Sequence, residues 1–342
     1  MKILLLKPSS LGDVIHALPV LRLLTLEYTG AQVDWWILRG LMPLLEGDPD
    51  IRRLIPFDRR DWGRPRHWPA VLRLVRQLRS ERYDWVLDLQ GLARSAWFGR
   101  ACGGSRFVGV RDWRELAPLL HGESVRRPSP RAHAVDWQRA LLAHLKVPLR
   151  TGWEWIPRRT AAAERLALEF PGLWQGSWIG LQPGARWDNK QWPVPRFVKL
   201  VGLLSQSHPA HRIALFGGPE DRALGQAVAQ ADPARCLDLT GRIPLPGMIE
   251  ALRRMDLLVT NDTGPMHVAA ALGKPVVALF GPTDPSRTGP YGQEESVLRA
   301  DPPPPCAPCL KAVCHHAEPL ACLNGITPAQ VASAVSARLV GR

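Results

Sequence analysis

At 342 residues the chain is too long for one ordinary hydrophobic core, so two domains are expected. Lys and Arg outnumber Asp and Glu by 44 to 31, which points to an anionic partner such as a phosphorylated substrate or an anionic membrane surface. No apolar run approaches the roughly 20 residues that cross a bilayer, and the basic residues are scattered without a nucleic-acid module, so a membrane span and a nucleic-acid partner are both excluded.

The chain opens on a short apolar run, Ile3–Lys7, followed by Ser9, Ser10 and Asp13. This reads as a first strand rather than a signal peptide, which makes the cytoplasm the expected compartment. The loop SSLGD, Ser9 to Asp13, leads into a helix predicted over Val14–Glu27. Strands follow at Val33–Leu38, Arg53–Phe57, Trp85–Leu89 and Phe107–Val110, with helices at Ala70–Ser80, Leu92–Ala101 and Ala134–Leu145. Such alternation argues for a parallel sheet covered on both faces. Ligands of open α/β sheets bind beyond the carboxyl ends of strands, where SSLGD lies. Gly12 lets the backbone approach a ligand, Ser9 and Ser10 can donate to phosphate or sugar, and Lys7 can add positive charge. Asp13, at the helix entry, reads either as a cap or as a site carboxylate. The G-x-G-x-x-G fingerprint is absent after Lys7, which excludes a dehydrogenase. Arg59, Arg60, Arg64 and Arg66 crowd a loop with Trp62 and Trp68, suited either to the phosphates and sugars of an acceptor or to solvent.

A turn-rich, arginine-rich interval, Pro148 to Arg159, looks like a boundary, and then the pattern restarts. Strands are expected at Trp178–Gln182, Ile213–Phe216, Cys236–Leu239, Leu257–Thr260 and Val276–Phe280. Helices are expected near Pro195–Ser205, Asp221–Ala231, Gly247–Arg254, Pro265–Leu272 and Pro328–Leu339. The most informative run is NDTGPMHVAAALGKPVVALFGPTDP, Asn261 to Pro285. It forms a βαβ unit whose helix N-terminus carries a carboxylate, a hydroxyl, a close-approach glycine and an imidazole. Free backbone N–H groups and the helix dipole suit such an end to a phosphate- and sugar-bearing ligand.

That run, together with KILLLKPSSLGDVIHALPVLRLL at Lys2 to Leu24, resembles the signatures of bacterial ADP-heptose glycosyltransferases, the lipopolysaccharide heptosyltransferases of glycosyltransferase family nine. The resemblance extends over nearly the whole chain. It implies an α/β fold of the GT-B type, two Rossmann-like domains with parallel sheets facing a central cleft. Residues 1–155 would bind the acceptor, residues 156–326 would bind ADP-heptose, and a helix within 327–342 would pack back on the N-terminal domain. The implied activity is inverting transfer of L-glycero-D-manno-heptose from ADP-heptose to the Kdo or heptose inner core of lipopolysaccharide. The partners would be a lipid A-Kdo type acceptor and the anionic inner face of the inner membrane. A protein (autotransporter) acceptor, a sugar-nucleotide epimerase of the same architecture and a non-catalytic sugar-nucleotide binder are the alternatives.

The resemblance also assigns roles. Asp13 falls on the family's catalytic aspartate, and inverting transfer from a nucleotide diphosphate needs one carboxylate to take the acceptor proton. Lys190, in PGARWDNKQWP, falls in the loop that contacts the donor diphosphate. Family members have small hydroxyl residues where this chain has Ala185 and Arg186; Arg186 can supply a charged contact instead. Glu220 would accept from ribose hydroxyls, and Met248 sits near the adenine-contacting segment. Asp262 would accept from heptose hydroxyls, Thr263 and Gly264 would present N–H groups to the diphosphate, and His267 would face the same ligand. No catalytic metal is expected.

Four of the six cysteines, Cys306, Cys309, Cys314 and Cys322, lie in one C-x2-C-x4-C-x7-C segment. They are a candidate structural Zn or Fe site, or else four reduced thiols in a proline-rich loop. A related family of heptosyltransferases that modify autotransporters has a cysteine-bound iron, which favours looking for a metal here.

Overall fold

A computed structural model describes residues 1–58, 64–152 and 154–340. The chain divides into two units, Met1–Pro157 and the remainder from Arg158.

The first unit is built on six strands, β1 (Lys2–Leu6), β2 (Gln32–Leu38), β3 (Arg53–Phe57), β4 (Tyr83–Asp88), β5 (Gly104–Val110) and β6 (Glu123–Val125). They lie in the order β3-β2-β1-β4-β5-β6 and every pairing is parallel. Its helices are α1 (Leu11–Glu27), α2 (Trp68–Ser80), α3 (Ala93–Cys102) and α4 (Ala134–His144). Leu4, Leu6 and Trp36 of the sheet share a buried core with Val75 and Leu78 of α2 and Phe98 of α3. Trp36 meets the rings of Phe57 and Phe98 at 4.6 and 4.5 Å. α1 and α4 pack against each other, leaving the opposite face of the sheet to α2 and α3, as right-handed crossovers require.

The second unit repeats the plan. Strands β7 (Ser177–Gln182), β8 (His211–Leu215), β9 (Cys236–Asp238), β10 (Leu257–Asn261), β11 (Val276–Leu279) and β12 (Val297–Leu298) are ordered β12-β11-β10-β7-β8-β9, again all parallel. Its longer helices are α5 (Thr160–Glu169), α6 (Val194–Ser207), α7 (Arg222–Ala229), α8 (Leu245–Arg254), α9 (Gly264–Ala271) and α10 (Pro328–Val340). In each sheet the chain leaves one central strand in one direction and returns to extend the sheet in the other. This places a switch point between β1 and β4 and another between β7 and β10, and sheets of this kind bind ligands beyond the carboxyl ends of the strands there.

Several sequence expectations shift. α1 starts at Leu11 rather than Val14, because Ser10 is the N-cap, and Asp13 therefore sits inside the first turn. α5 is an additional helix, its segment TAAAERLALE directly following the turn-rich boundary interval. β6 and β12, three and two residues long, exist through pairing with β5 and β11 and have no local pattern of their own. The helix expected over Asp221–Ala231 is a short turn, Pro219–Asp221, followed by α7. The last helix, α10, lies on α6, β10 and β11 of the second unit. Its Val331 and Val335 are fully buried in that unit's core, and Ser336 pairs with His208 at 2.7 Å. The apolar stripe of α10 completes a core that α6 alone leaves open.

Candidate functional site

In the first unit the loop after β1 and the loop after β4 meet. Asp13 Oδ2 accepts from the Ser10 backbone N–H at 2.9 Å and from Ser10 Oγ at 2.7 Å. The other carboxylate oxygen stands 3.7 Å from Lys7 Nζ. The acid is therefore fixed by its own helix start, while its side chain keeps 42% of its surface open. The Ser10 hydroxyl, expected to serve a ligand, is turned onto Asp13 instead. Gly12 is buried in the first turn, and Ser9 lies just before the cap, half-buried. Lys7 is itself buried and donates to the Leu89 carbonyl at 2.9 Å.

That carbonyl belongs to a loop held by a residue that sequence reasoning missed. Asp88, fully buried at the end of β4, accepts from the backbone N–H groups of Gln90 and Gly91 and from Ser95 Oγ, each at 3.0 Å. His121 Nε2 lies 3.0 Å from the same carboxylate. The only sequence signal was an aspartate closing a strand two residues before a turn. Arg114 pairs with Asp112 at 2.6 Å; this pair raises the guanidinium's proton affinity, and Asp13 adds to it. Of the basic loop, Arg64 and Arg66 are exposed, while Arg59 and Arg60 lie outside the described residues.

In the second unit the loops after β7, β10 and β11 converge. Lys190 Nζ meets Asp262 Oδ2 at 2.6 Å and stands 4.7 Å from the centre of the Trp187 ring. Thr283 Oγ1 donates to the same oxygen at 2.6 Å. Two elements expected separately, a diphosphate lysine and a sugar-binding aspartate, are thus one charged pair with a hydroxyl completing it. Thr283 sits in the run quoted above without a role assigned to it. Asn261, also unassigned, ties the loops together: its amide donates to the Pro183 carbonyl at 2.7 Å, and its oxygen accepts from Trp192 N–H at 3.1 Å.

Thr263 is the N-cap of α9, yet its side chain makes no capping hydrogen bond, and Gly264 and Pro265 open the helix. The helix N-terminus therefore follows β10 at the loop end of the sheet. His267 is buried one turn in. Arg186 is exposed on the β7 loop. Glu220 is exposed in the turn after β8, and Met248 is half-buried in the first turn of α8.

Next to Glu220, Asp221 is buried and accepts from Gly218 N–H at 2.9 Å. Burial pushes its carboxyl up, and the nearby Glu220 charge adds to this. A side chain on Gly184 would run into the Asp221 carboxylate at 2.2 Å, so that glycine is required by space rather than by turn geometry.

The cysteine segment is fastened to this site. Leu310 N–H donates to the Pro282 carbonyl at 2.8 Å, beside Thr283, and the Lys311 carbonyl accepts from Asn189 at 2.8 Å, beside Lys190. All six cysteines are free. Burial raises the Cys322 thiol, and Cys314, Cys306 and Cys309 raise it further. Among the described residues, however, no three His, Cys, Asp or Glu side chains stand as a group that would hold a metal ion. No helix of the described residues is long and apolar enough to cross a membrane.

Residues 71–319 match the model of Glycosyltransferase family 9 (heptosyltransferase). The chain is 33% identical to the lipopolysaccharide heptosyltransferase 1 of Pseudomonas aeruginosa, over 99% of this chain and 98% of that one. Among solved structures it resembles the E. coli heptosyltransferase WaaC with ADP, 27% identical over 99% of this chain and 100% of that one, with a TM-score of 0.78. It also resembles the same enzyme with ADP-2-deoxy-2-fluoro heptose, 26% identical over 98% of this chain and 99% of that one, with a TM-score of 0.77.

Proposed function

The chain belongs to glycosyltransferase family 9, the heptosyltransferases, and on that footing we propose that it moves L-glycero-D-manno-heptose from ADP-heptose to the lipopolysaccharide inner core. The fold is GT-B, with two Rossmann-like α/β units. The observation that carries the reading is the Lys190–Asp262–Thr283 group at the open N-terminus of α9. It puts a cation, a carboxylate and a helix N-terminus where a sugar diphosphate needs them.

The proposed mechanism is a single displacement. Asp13 takes the proton of the acceptor hydroxyl as that oxygen attacks the anomeric carbon, and the bond to ADP breaks with inversion. Lys190, Arg186 and the α9 terminus stabilise the charge that develops on the departing diphosphate, so this route uses no catalytic metal. Asp262 accepts from sugar hydroxyls, and Glu220 and Met248 hold the nucleoside. Thr263, Gly264 and His267 line the diphosphate end. Ser9, Ser10 and Gly12 shape the loop that carries the base. Arg64 and Arg66 contact acceptor phosphates, as do Arg59 and Arg60.

Incubating the protein with ADP-heptose and a Kdo-bearing lipid A acceptor should release ADP and add one heptose mass to the lipid. ADP-heptose converted without acceptor, or a protein labelled while the lipid is not, would replace this reading.

We extend the proposal to the cysteine segment. A structural Zn²⁺ or iron at Cys306, Cys309, Cys314 and Cys322 requires the four thiols to draw together, since they do not stand in ligand geometry. Elemental analysis should then find about one ion per chain, lost in a Cys306→Ser/Cys309→Ser variant. Because the segment braces Pro282 and Asn189, that variant should melt lower and bind ADP more weakly while keeping measurable transfer. Metal-free protein prepared under reducing conditions, with melting unchanged by a chelator, leaves four ordinary thiols.

A further inference from the structure

Asp88, His121 and Ser95 form a buried polar group in the first unit that the transfer chemistry above leaves without a role. The side chains of Asp88 and His121 are fully buried. One Asp88 oxygen accepts from the backbone N–H groups of Gln90 and Gly91. The other lies 3.0 Å from both Ser95 Oγ and His121 Nε2. Ser95 has a single hydroxyl proton and also stands 2.9 Å from the Leu92 carbonyl, so His121 is the donor committed to that second oxygen. An ionised carboxylate only accepts, which assigns a proton to Nε2. β5 is shaped around the ring: a side chain on Gly109 would run into it, and Phe107 meets it edge-on at 5.0 Å. His121 Nδ1 is buried and has no hydrogen-bond partner among the described residues. An apolar side chain in the same space would avoid that orphaned nitrogen, so the ring is explained by what it holds.

What it holds is the turn Leu89–Gly91. Gly91 takes φ +68°, and a side chain there would also meet Val110 at 2.7 Å. Leu89 N–H donates to the Leu6 carbonyl at 3.1 Å, and the Leu89 carbonyl accepts from Lys7 Nζ at 2.9 Å. The Lys7 backbone is fixed in turn by Trp35 Nε1, which donates to its carbonyl at 3.1 Å. The buried ammonium thus lies between the Leu89 carbonyl and Asp13 Oδ1, the latter 3.7 Å away. A carbonyl displaced by about 1 Å would no longer accept, and the ammonium would then close on Asp13. A carboxylate in direct contact with an ammonium is held in its charged form and is a poorer proton acceptor.

We propose that Asp88 and His121 are positioning residues for the base. They fix the Leu89 carbonyl, which keeps Lys7 off Asp13 and lets the carboxylate take the acceptor proton. This role rests on the reading of Asp13 as the base.

The test uses His121→Phe, which keeps an aromatic ring without the N–H, and His121→Gln, which keeps an N–H donor. With saturating ADP-heptose and a Kdo-bearing lipid A acceptor, His121→Phe should lower kcat by about 10- to 100-fold, the loss expected when a catalytic group is misplaced by about 1 Å. His121→Gln should recover most of that loss. KM for ADP-heptose and the calorimetric affinity for ADP should stay at the parent's values, because the Lys190–Asp262 pair lies in the second unit. Lys7→Met then separates positioning from plain packing. If His121 acts through the ammonium, adding His121→Phe to Lys7→Met should lower kcat by less than about twofold further. A merely structural His121 gives the same fold loss in both backgrounds. Where His121→Phe does not fold, Ser95→Ala weakens the support of the same Asp88 oxygen, and its kcat loss should likewise vanish with Lys7→Met. Heteronuclear NMR of the parent should find the His121 proton on Nε2. Parental kcat in His121→Phe, an equal loss with and without Lys7, or a ring protonated on Nδ1 alone overturns the proposal. Asp13→Asn keeps the two readings apart: parental turnover there removes the base and the positioning role together, whereas a slow Asp13→Asn beside a fast His121→Phe removes the positioning role alone.

Discussion

Asp13→Asn is expected to lower turnover by about 10²–10⁴ while the protein keeps its fold and its affinity for ADP-heptose. Asn separates the observed role of Asp13 at the helix start from its proposed role as base. As the third residue of α1 it accepts from the backbone and hydroxyl of Ser10, and an amide oxygen can still accept both. The helix start should therefore survive at a cost of about 0.5–1 kcal/mol, the loss of first-turn charge. As a base it must take a proton, which an amide does not do at neutral pH. It also faces Lys7 at 3.7 Å, and the neutral variant leaves that buried ammonium with the Leu89 carbonyl as its close partner. ADP release at saturating donor and acceptor gives the rate, and a thermal melt with an ADP titration gives the controls. Turnover within a few-fold of the parent would remove Asp13 as the base.

Lys190→Ala and Asp262→Ala should separate the diphosphate from the sugar. Lys190→Ala is expected to weaken ADP and ADP-heptose alike, by about ten- to a hundredfold, the usual loss of a charged hydrogen bond. Asp262→Ala is expected to weaken ADP-heptose while sparing ADP, because only the sugar loses a partner. Their 2.6 Å pairing sharpens this. Without Asp262 the Lys190 ammonium carries its full charge toward the diphosphate, so ADP should bind at least as tightly as in the parent. Without Lys190 the buried Asp262 keeps Thr283 alone as its close donor, so that variant should also melt lower. Because the two side chains share one contact, the double variant should not show the sum of the single losses. Calorimetry with both ligands on all three variants reads the pattern, and an identical pattern for the two single variants would refute the division of labour.

The parts of the site that were legible in the sequence are those built within one strand–turn–helix. Asn261 to Pro285 announces its own strand, polar turn and buried helix, because hydrophobic period, turn residues and cap act over a few residues. The same holds for the first strand and SSLGD, although the helix start moved three residues once Ser10 proved to be the cap. Local pattern was insufficient where an element depends on distant pairing. β6 and β12 are strands only because β5 and β11 lie beside them, and α10 chose its neighbours by where the second core was unfilled.

By itself, then, the chain's sequence determined the α/β fold class and named Asp13, Lys190 and Asp262 as residues to test. Tertiary structure alone decided which groups meet. Lys190 and Asp262 are 72 positions apart, Lys7 and Leu89 are 82 apart, and Asn189 and Lys311 are 122 apart. Thr283, Asn261 and Asp88 acquire roles only through such contacts, as does the cysteine segment in bracing the loops after β7 and β11. The reason is the sheet order. A parallel sheet that grows outward from its centre in both directions brings the carboxyl ends of sequence-distant strands together at its switch point, and no periodicity along the chain records which loops will meet there.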